Sequence, residues 1–315
     1  MFKSINSKKN NSINFFIVIV FISILCFIYI LFKIQLFENK KNYEKYSRNI
    51  TSIKKKYNNN IHFPEDLIFD KGKYLKFLFH PMKAIGYNKI RIGEKKDGGY
   101  ILLDNLNSIQ NKIVYSIGIN NECSFDLDMA KKGFQIFMYD HTIKKLPLFH
   151  KNFHWKKIGL SGVSNNINLY TLEDLIKINN HTNENNMILK MDCDLCEFDS
   201  LLNTPDYILD KFEQIVIEFH FYNKNEYKNY INLLRKINRL FQSIHIHYNN
   251  HEKIVLKYFS DKDRSVVHKT PEITYVNKKK YKFNEDLDYY PIKNLDYPNS
   301  NNKKEIEIGY PGIDS

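Results

Sequence analysis

Short apolar runs alternate with amphipathic stretches between residues 66 and 288 of this 315-residue chain. The apolar runs have the length of strands and the amphipathic stretches that of helices, so the pattern predicts repeated strand–helix units. The predicted strands cover 113–117, 135–139, 156–160, 187–191, 214–219, 243–247 and 272–276. The predicted helices cover 125–132, 172–178, 197–202 and 226–241. This alternation favours an α/β fold with right-handed crossovers and a mostly parallel sheet, whose last two strands form an antiparallel pair.

Residues 15–32 form an uncharged, mostly apolar run that is long enough to span a membrane as a helix. The run is longer than the apolar core of a cleaved signal peptide, and no small-residue cleavage site follows it. We therefore predict a signal anchor and a single-pass membrane protein. Lysines flank both ends, so the charges do not decide the orientation. Glycosylation sequons at Asn49 and Asn180 suit a lumenal catalytic domain in a eukaryotic secretory pathway.

The composition divides the chain into five segments. We predict a short tail at 1–14, the anchor at 15–32, a stalk at 33–65, one folded domain at 66–288 and a C-terminal tail at 289–315. The stalk is rich in lysine and asparagine and shows little periodicity, as linkers do. The tail contains prolines among asparagines and lysines, which predicts an extended wrap or a loose end.

The net charge of +12 raises the question of nucleic-acid binding. Arginine, the residue best suited to bidentate recognition of phosphates and bases, is scarce. Alanine is also rare, whereas lysine, asparagine, isoleucine, phenylalanine and tyrosine are abundant. This pattern indicates a bias in composition more than a selected basic surface, and we expect no nucleic-acid partner.

A glycine and an acid at two successive strand ends predict a nucleotide site. Gly118 follows the predicted strand 113–117, and Asp140 ends the next strand. The glycine lets the backbone approach a ligand, and an acid about 20 residues further along the chain can bind the ribose hydroxyls. Polar residues between Gly118 and Asn121, together with Ser124, open the helix that follows, where exposed N–H groups favour an anion.

Asp192, at the end of strand 187–191, allows two interpretations. It could face a cofactor or substrate while Glu197 starts the next helix. Alternatively, Asp192-Cys193-Asp194 resembles the Asp-x-Asp element of metal-dependent glycosyltransferases, in which two carboxylates hold Mn²⁺ or Mg²⁺ against a diphosphate. Cys193 and Cys196 could also form a redox pair or half of a zinc site, although the chain has no second Cys-x-x-Cys and no Cys–His pair of suitable spacing.

Acidic, histidine and asparagine side chains follow the later strands. Glu218 and His220 end strand 214–219, and His245 and His247 alternate on one face of strand 243–247. Convergence of such groups on adjoining strand ends predicts a working site. Upstream, Asp97-Gly98-Gly99 predicts a tight hairpin turn.

Together these segments resemble the FkbM-type methyltransferases, in particular membrane-anchored methyltransferase-like members. The resemblance covers roughly residues 80–300 in order. The matching residues are Arg91-Ile92-Gly93 with Asp97-Gly98-Gly99-Tyr100, Tyr115 to Asn121 with Ser124-Phe125, Leu189 to Asp192 with Glu197, Ile215 to His220, and His245 to His247 with Asn249-Asn250.

The resemblance implies a Rossmann-like, seven-stranded class I methyltransferase fold that uses S-adenosylmethionine. Gly118 and the backbone through Asn121 would lie under the methionine part of the cofactor, and Asp140 would bind the ribose. Asp192 would lie beside the sulfonium and the substrate.

The implied reaction methylates a hydroxyl on a sugar or small metabolite, and such an enzyme is expected to need no metal. Glu218, His220 or His247 would accept the proton. The family often has a Glu-Gly pair where this chain has Asp194-Leu195. Two alternatives stay open, namely an anchored glycosyltransferase that uses Asp192 and Asp194, and a non-catalytic protein with the same fold.

Overall fold

A computed structural model describes residues 75–76, 78–165, 167–251, 255–257 and 266–309. The predicted anchor at 15–32 and stalk at 33–65 lie outside these residues. Within the described ranges, no helix is both long and apolar enough to cross a membrane.

The described chain contains fifteen strands and five α-helices. The strands are β1 Met82–Ala84, β2 Lys89–Ile92, β3 Tyr100–Leu103, β4 Ile113–Ile117, β5 Gln135–Tyr139, β6 Phe153–Lys156, β7 Gly159–Leu160, β8 Leu169–Tyr170, β9 Met187–Met191, β10 Phe212–Glu218, β11 Phe241–Tyr248, β12 Val255–Lys257, β13 Val266–His268, β14 Pro271–Asn277 and β15 Phe283–Glu285. The helices are α1 Ser124–Lys131, α2 Leu172–Ile178, α3 Cys196–Asn203, α4 Asp206–Leu209 and α5 Tyr227–Leu240. Short 3-10 turns lie at Leu106–Ser108 and Lys224–Glu226.

Seven strands form the central sheet in the order β11-β14-β10-β9-β4-β5-β6. The neighbours from β6 to β10 pair in parallel, whereas β14 pairs antiparallel with both β10 and β11. The sheet confirms the predicted Rossmann-like, mostly parallel architecture with an antiparallel final pair. Every residue of β4, β9, β10 and β14 is buried, as expected for central strands covered on both faces.

One strand prediction is wrong in position. The predicted strand at 156–160 is replaced by β6, which ends at Lys156, and by β7, which pairs with β8 outside the central sheet. The reason is that β6 is an edge strand with alternating exposed residues, so His154 and Lys156 interrupt its apolar signal. The short apolar stretch that ends at Leu160 belongs instead to the separate pair, where Gly159 and Leu160 are both buried.

The β2–β3 hairpin packs against α1 and the sheet in one hydrophobic cluster. Tyr100 and Leu102 from the hairpin join Phe125 and Met129 of α1 and Val114 of β4 in this cluster. The hairpin connection runs over residues 93–99, so Asp97-Gly98-Gly99 is part of a seven-residue loop and not a tight two-residue turn. Packing therefore holds this loop beside the carboxyl ends of the central strands.

Residues 286–309 return to the edge of the sheet formed by β11. Lys89 Nζ lies 2.8 Å from Asp286 Oδ2, and Tyr290 makes a bridge with Gly309. The Asn250 side chain donates to Ser300 O at 3.0 Å and accepts from Ser300 N at 2.7 Å. This segment thus forms one wall of the region in which the strand ends meet.

Candidate functional site

The candidate site lies at the carboxyl ends of the parallel strands. Gly118 follows β4, Asp140 follows β5, Asp192 follows β9 and Glu218 ends β10. Because β14 runs antiparallel, its first residues lie at the same edge, and Glu272 pairs directly with Glu218. Ligands of open α/β sheets bind in the crevice outside this edge.

Gly118 lies in backbone contact with the residue that follows β9. Its φ is +78°, and a Cβ atom at this position would lie 1.7 Å from the carbonyl oxygen of Asp192. Gly118 N donates to Tyr139 O at 2.9 Å, and Asp192 N donates to Ile117 O at 2.9 Å. Both the left-handed conformation and the close approach require glycine here.

Asp140 organises the turn after Gly118. Its Oδ2 accepts from the backbone N–H groups of Ile119 and Asn120 at 2.9 and 2.8 Å. Its Oδ1 accepts from the N–H and hydroxyl of Thr142 at 2.8 and 2.6 Å. Burial alone would raise the pKa of Asp140, but these hydrogen bonds outweigh burial and lower it to about 2. The carboxylate is therefore already saturated within the protein, whereas Asn121 is exposed.

We expect Asp140→Asn to lower the free energy of unfolding by about 2 kcal/mol at neutral pH. The NH₂ group of asparagine would replace one carboxylate oxygen and cannot accept the hydrogen bonds which that oxygen receives. The pKa of Asp140 is lowered from 3.8 to about 2. A carboxylate whose pKa is lower in the folded than in the unfolded protein stabilises the fold at pH values above its unfolded pKa. This stabilisation is lost as the pH falls toward its folded pKa. The difference between wild type and variant should thus shrink below about pH 4.

Urea unfolding at a series of pH values measures this difference. Asp104→Asn is the matched control, because Asp104 is exposed. It should unfold like wild type at each pH. A difference for Asp140→Asn that stays constant down to pH 2 would contradict the proposed role of the charged carboxylate.

Asp192 is the partly open carboxylate of the site. Its side chain is 31% exposed, and its Oδ2 accepts a hydrogen bond of 2.9 Å from the Tyr100 hydroxyl. Lys190 Nζ lies 4.0 Å from the same oxygen and donates to Gly118 O. Asp192 therefore has a fixed orientation while one side of it stays accessible.

Glu197 and His220 form a buried pair next to Asp192. One oxygen of Glu197 accepts from both the backbone N and the ring Nδ1 of His220, at 2.8 and 3.0 Å. The other ring nitrogen, Nε2, lies 3.4 Å from Glu218 Oε1 and 3.9 Å from Asp192 Oδ1. Burial alone would lower the pKa of His220, but hydrogen bonds and the charges of Glu197 and Glu218 raise it to about 11.

Glu218, Glu272 and His247 form a row across three neighbouring strands. Glu272 lies opposite Glu218 on one side and opposite His247 on the other. His247 Nδ1 lies 2.9 Å from Glu272 Oε2, and its Nε2 lies 3.3 Å from Glu305 Oε1. Burial alone would lower the pKa of His247, but these carboxylates raise it to about 10. Burial and the charge of Asp192 raise the pKa of Glu218.

These contacts bear on the predicted role of the two histidines as proton acceptors. The surrounding carboxylates raise the pKa of both His220 and His247, and each ring nitrogen faces a carboxylate. Both rings thus contact carboxylates of the protein, and their role as proton acceptors stays a prediction. His245 points to the C-terminal segment instead, where its Nε2 lies 2.8 Å from Asp296 Oδ1, and burial lowers its pKa.

The hairpin loop brings a further carboxylate, Asp97, to the site. Arg91 holds this loop, since its guanidinium donates to Glu94 O and Lys96 O, each at 2.7 Å. Asn299 of the C-terminal segment donates to Asp97 Oδ1 at 3.1 Å and to Glu272 Oε1 at 2.5 Å. The Arg-Ile-Gly and Asp-Gly-Gly-Tyr segments thus position Asp97 and Tyr100.

A disulfide joins Cys193 and Cys196 directly after Asp192. The two residues inside this ring, Asp194 and Leu195, have φ values of 48° and 83°. The Asp194 side chain is 87% exposed, and its Oδ1 lies 3.4 Å from His220 Nε2. The two carboxylates of the Asp-x-Asp segment therefore both face the same histidine.

Sequence reasoning assigned no site role to Tyr100, Asp97, Glu272 and Asn299. Glu272 could have been noticed as an acid within a strand that is otherwise apolar, opposite a histidine. Asp97 and Tyr100 belonged to a segment that the sequence explained as a turn. Asn299 is one of many asparagines in the tail and carries no distinguishing signal.

Comparisons with known proteins add the following. A family model described as "Methyltransferase domain" matches residues 39–276. No curated protein matches the chain. One similar solved structure is described as "Putative hemolysin from Streptococcus thermophilus"; it is 10% identical, the alignment covers 57% of this chain and 72% of that chain, and the TM-score is 0.31. A TM-score this low supports no argument about fold or function.

Proposed function

Since the chain belongs to the family of proteins with this methyltransferase domain, we propose that it transfers a methyl group from S-adenosylmethionine to a hydroxyl on a sugar or small metabolite. The observation that carries the proposal is the contact between the Gly118 turn and Asp192 at the carboxyl edge of the sheet. It leaves bare backbone beside a partly exposed carboxylate, where a cofactor can lie close to the main chain.

The methionine part of the cofactor would lie over Gly118 and the backbone through Asn121. The ribose would lie toward Asp140, which takes a ribose hydroxyl on Oδ1 once the Thr142 hydroxyl turns away. Asp140 has a second task in this proposal, since it also fixes the N–H groups of the turn. Asp192 lies beside the position expected for the sulfonium, whose positive charge it would attract.

The reaction is an in-line displacement that needs mainly correct positioning. A lone pair of the acceptor oxygen forms a bond to the methyl carbon, and the carbon–sulfur bond breaks with its electrons going to sulfur. The products are the methyl ether and S-adenosylhomocysteine, and the hydroxyl proton goes to a carboxylate. We assign this role to Asp192, because its side chain is exposed toward the crevice whereas those of His220 and Glu218 are buried.

We also propose that residues 15–32 anchor the protein in a membrane with the catalytic domain in the lumen. The Cys193–Cys196 disulfide supports this placement, because disulfides persist in oxidising compartments. The acceptor would then be a glycan or a small molecule of the secretory pathway.

The two alternatives differ in their support. The match to a methyltransferase domain favours methyl transfer over glycosyl transfer. A non-catalytic protein would have the same fold without binding the cofactor. Cofactor binding therefore separates the proposed enzyme from this alternative.

Calorimetric titration of the full chain with S-adenosylhomocysteine tests the proposal. We expect a dissociation constant of about 1 to 100 µM, which corresponds to a binding free energy of about 5 to 8 kcal/mol. A parallel titration uses a uridine diphosphate sugar with Mn²⁺, and the heat of Mn²⁺ alone is subtracted. Binding of the nucleotide sugar without binding of S-adenosylhomocysteine would overturn the proposal. Absence of binding in both titrations would favour the non-catalytic protein.

A further inference from the structure

Three side chains of the candidate site present ligand atoms to a common point. The ligand atoms of Asp192, Glu218 and His220 all lie within 4.8 Å of one another. His220 Nε2 lies 3.4 Å from the Glu218 oxygen and 3.9 Å from the Asp192 oxygen. Metal–ligand bonds of about 2.0–2.2 Å put adjacent ligand atoms about 3 Å apart and opposite ones about 4 Å apart.

The imidazole of His220 is oriented as metal-binding histidines are. Its Nδ1 is 3.0 Å from Glu197, whose side chain is fully buried. A ligating histidine usually donates its other ring N–H to a carboxylate, which fixes the tautomer and turns the free nitrogen to the metal. The Nε2 atom accordingly faces the carboxylates of Asp192, Asp194 and Glu218.

A second group of carboxylates borders the first and shares Glu218. The ligand atoms of Asp97, Glu218 and Glu272 also lie within 4.8 Å of one another. Like charges that lie directly opposite on paired strands are destabilising. Asn299 is 5% exposed, its amide nitrogen points to Asp97 and Glu272, and its Oδ1 has no hydrogen-bond partner among the described residues.

We propose that Asp192, Glu218 and His220 bind one divalent transition-metal cation such as Mn²⁺. A donor set of one imidazole and two carboxylates suits such ions, whereas Mg²⁺ and Ca²⁺ prefer oxygen ligands alone. The resemblance stated from the sequence implied an enzyme that needs no metal, so this site goes beyond that expectation. The side chain of Asp192 is 31% exposed, so the cation would be open to the crevice on that side.

The site itself does not depend on the proposed function, but the role of the cation does. If the protein is an O-methyltransferase, the cation would bind the acceptor hydroxyl and lower its pKa. It would also fix the oxygen beside Asp192, where the cofactor's methyl group is expected. The acceptor would then be a hydroxyl with a second oxygen nearby that can share the cation, as on adjacent positions of a sugar.

Titration of the full chain with Mn²⁺, followed by loss of the electron paramagnetic resonance signal of free Mn²⁺, tests the site. We expect one tightly bound ion per chain, which millimolar Mg²⁺ does not displace. Glu218→Gln and Asp192→Asn should each weaken binding at least about tenfold. Glu213→Gln is the matched control, because Glu213 is a buried carboxylate at the other end of β10 and is hydrogen bonded to Asn105 and Tyr281.

Absence of Mn²⁺ binding in wild type, or equal binding in all three variants, would overturn the metal site. If Glu218→Gln does not fold, Asp192→Asn decides, since its side chain is partly exposed and the change keeps its size. Titration of the same samples with S-adenosylhomocysteine distinguishes the two proposals. If the protein binds S-adenosylhomocysteine but not Mn²⁺, only the metal site is wrong. If it binds Mn²⁺ but not S-adenosylhomocysteine, only the proposed function is wrong.

Discussion

Gly118→Ala should lower the free energy of unfolding by about 3 to 5 kcal/mol, because the substitution adds a backbone clash to an unfavourable backbone conformation. The added Cβ would lie 1.7 Å from the carbonyl oxygen of Asp192, so β4 and β9 would have to separate at their carboxyl ends. The two strands are direct neighbours in the middle of the sheet and cannot move apart cheaply. Thermal or urea unfolding followed by circular dichroism measures the effect.

Gly133→Ala provides the control for the conformational part of this cost. Gly133 has a φ of +89°, but no atom lies within 4 Å of a Cβ built at this position. This variant should lose only about 1 to 2 kcal/mol, which is the cost of the left-handed conformation alone. Equal losses in the two variants would show that the contact with Asp192 is not needed, and the assignment of the Gly118 turn as the floor of the cofactor site would fail.

Glu197→Ala is the second change for which we expect a large effect, a loss of about 3 kcal/mol or more. The backbone N–H and ring Nδ1 of His220 both donate to Glu197, and alanine would leave these donors buried without an acceptor. The shorter side chain also leaves a cavity, which adds to the cost. Urea unfolding gives the loss, and the variant should in addition bind Mn²⁺ more weakly.

The Glu197→Gln variant tests whether Glu197 stabilises the fold as a hydrogen-bond acceptor or through its negative charge. Both hydrogen bonds from His220 go to Oε1, so a glutamine can keep them with its carbonyl oxygen. We expect this variant to lose about 1 kcal/mol, well below the loss of the alanine variant. If the glutamine variant is as unstable as the alanine variant, the negative charge matters more than the acceptor, and the argument from hydrogen bonding would be wrong.

The order of elements in the sheet could be predicted because each strand carries its own signal. The runs at 113–117, 135–139 and 187–191 coincide with β4, β5 and β9, since interior strands of a parallel sheet are mostly apolar. The edge strand β6 escaped prediction because its alternating exposure breaks the apolar run. Signals of the local sequence thus sufficed for the interior of the sheet and for the edge strand β11, and failed at the edge strand β6.

The candidate site was only half predictable, for a different reason. Gly118, Asp140, Asp192 and Glu218 follow strands, so topology alone brings them to one edge. The state of each side chain depends on partners that are distant in sequence, and these partners decide its chemistry. Glu305, for example, contributes to the raised pKa of His247 from the C-terminal segment, and no local pattern announces this contact.

The four-residue loop closed by the disulfide between Cys193 and Cys196 has a practical consequence for any work with the purified protein. Asp194 and Leu195 hold left-handed conformations that cost residues other than glycine about 1 to 2 kcal/mol each. Dithiothreitol or a phosphine in the buffer would open the ring and let this peptide relax away from His220. Preparations made with and without such reductants are therefore different samples, and binding constants from the two should not be pooled.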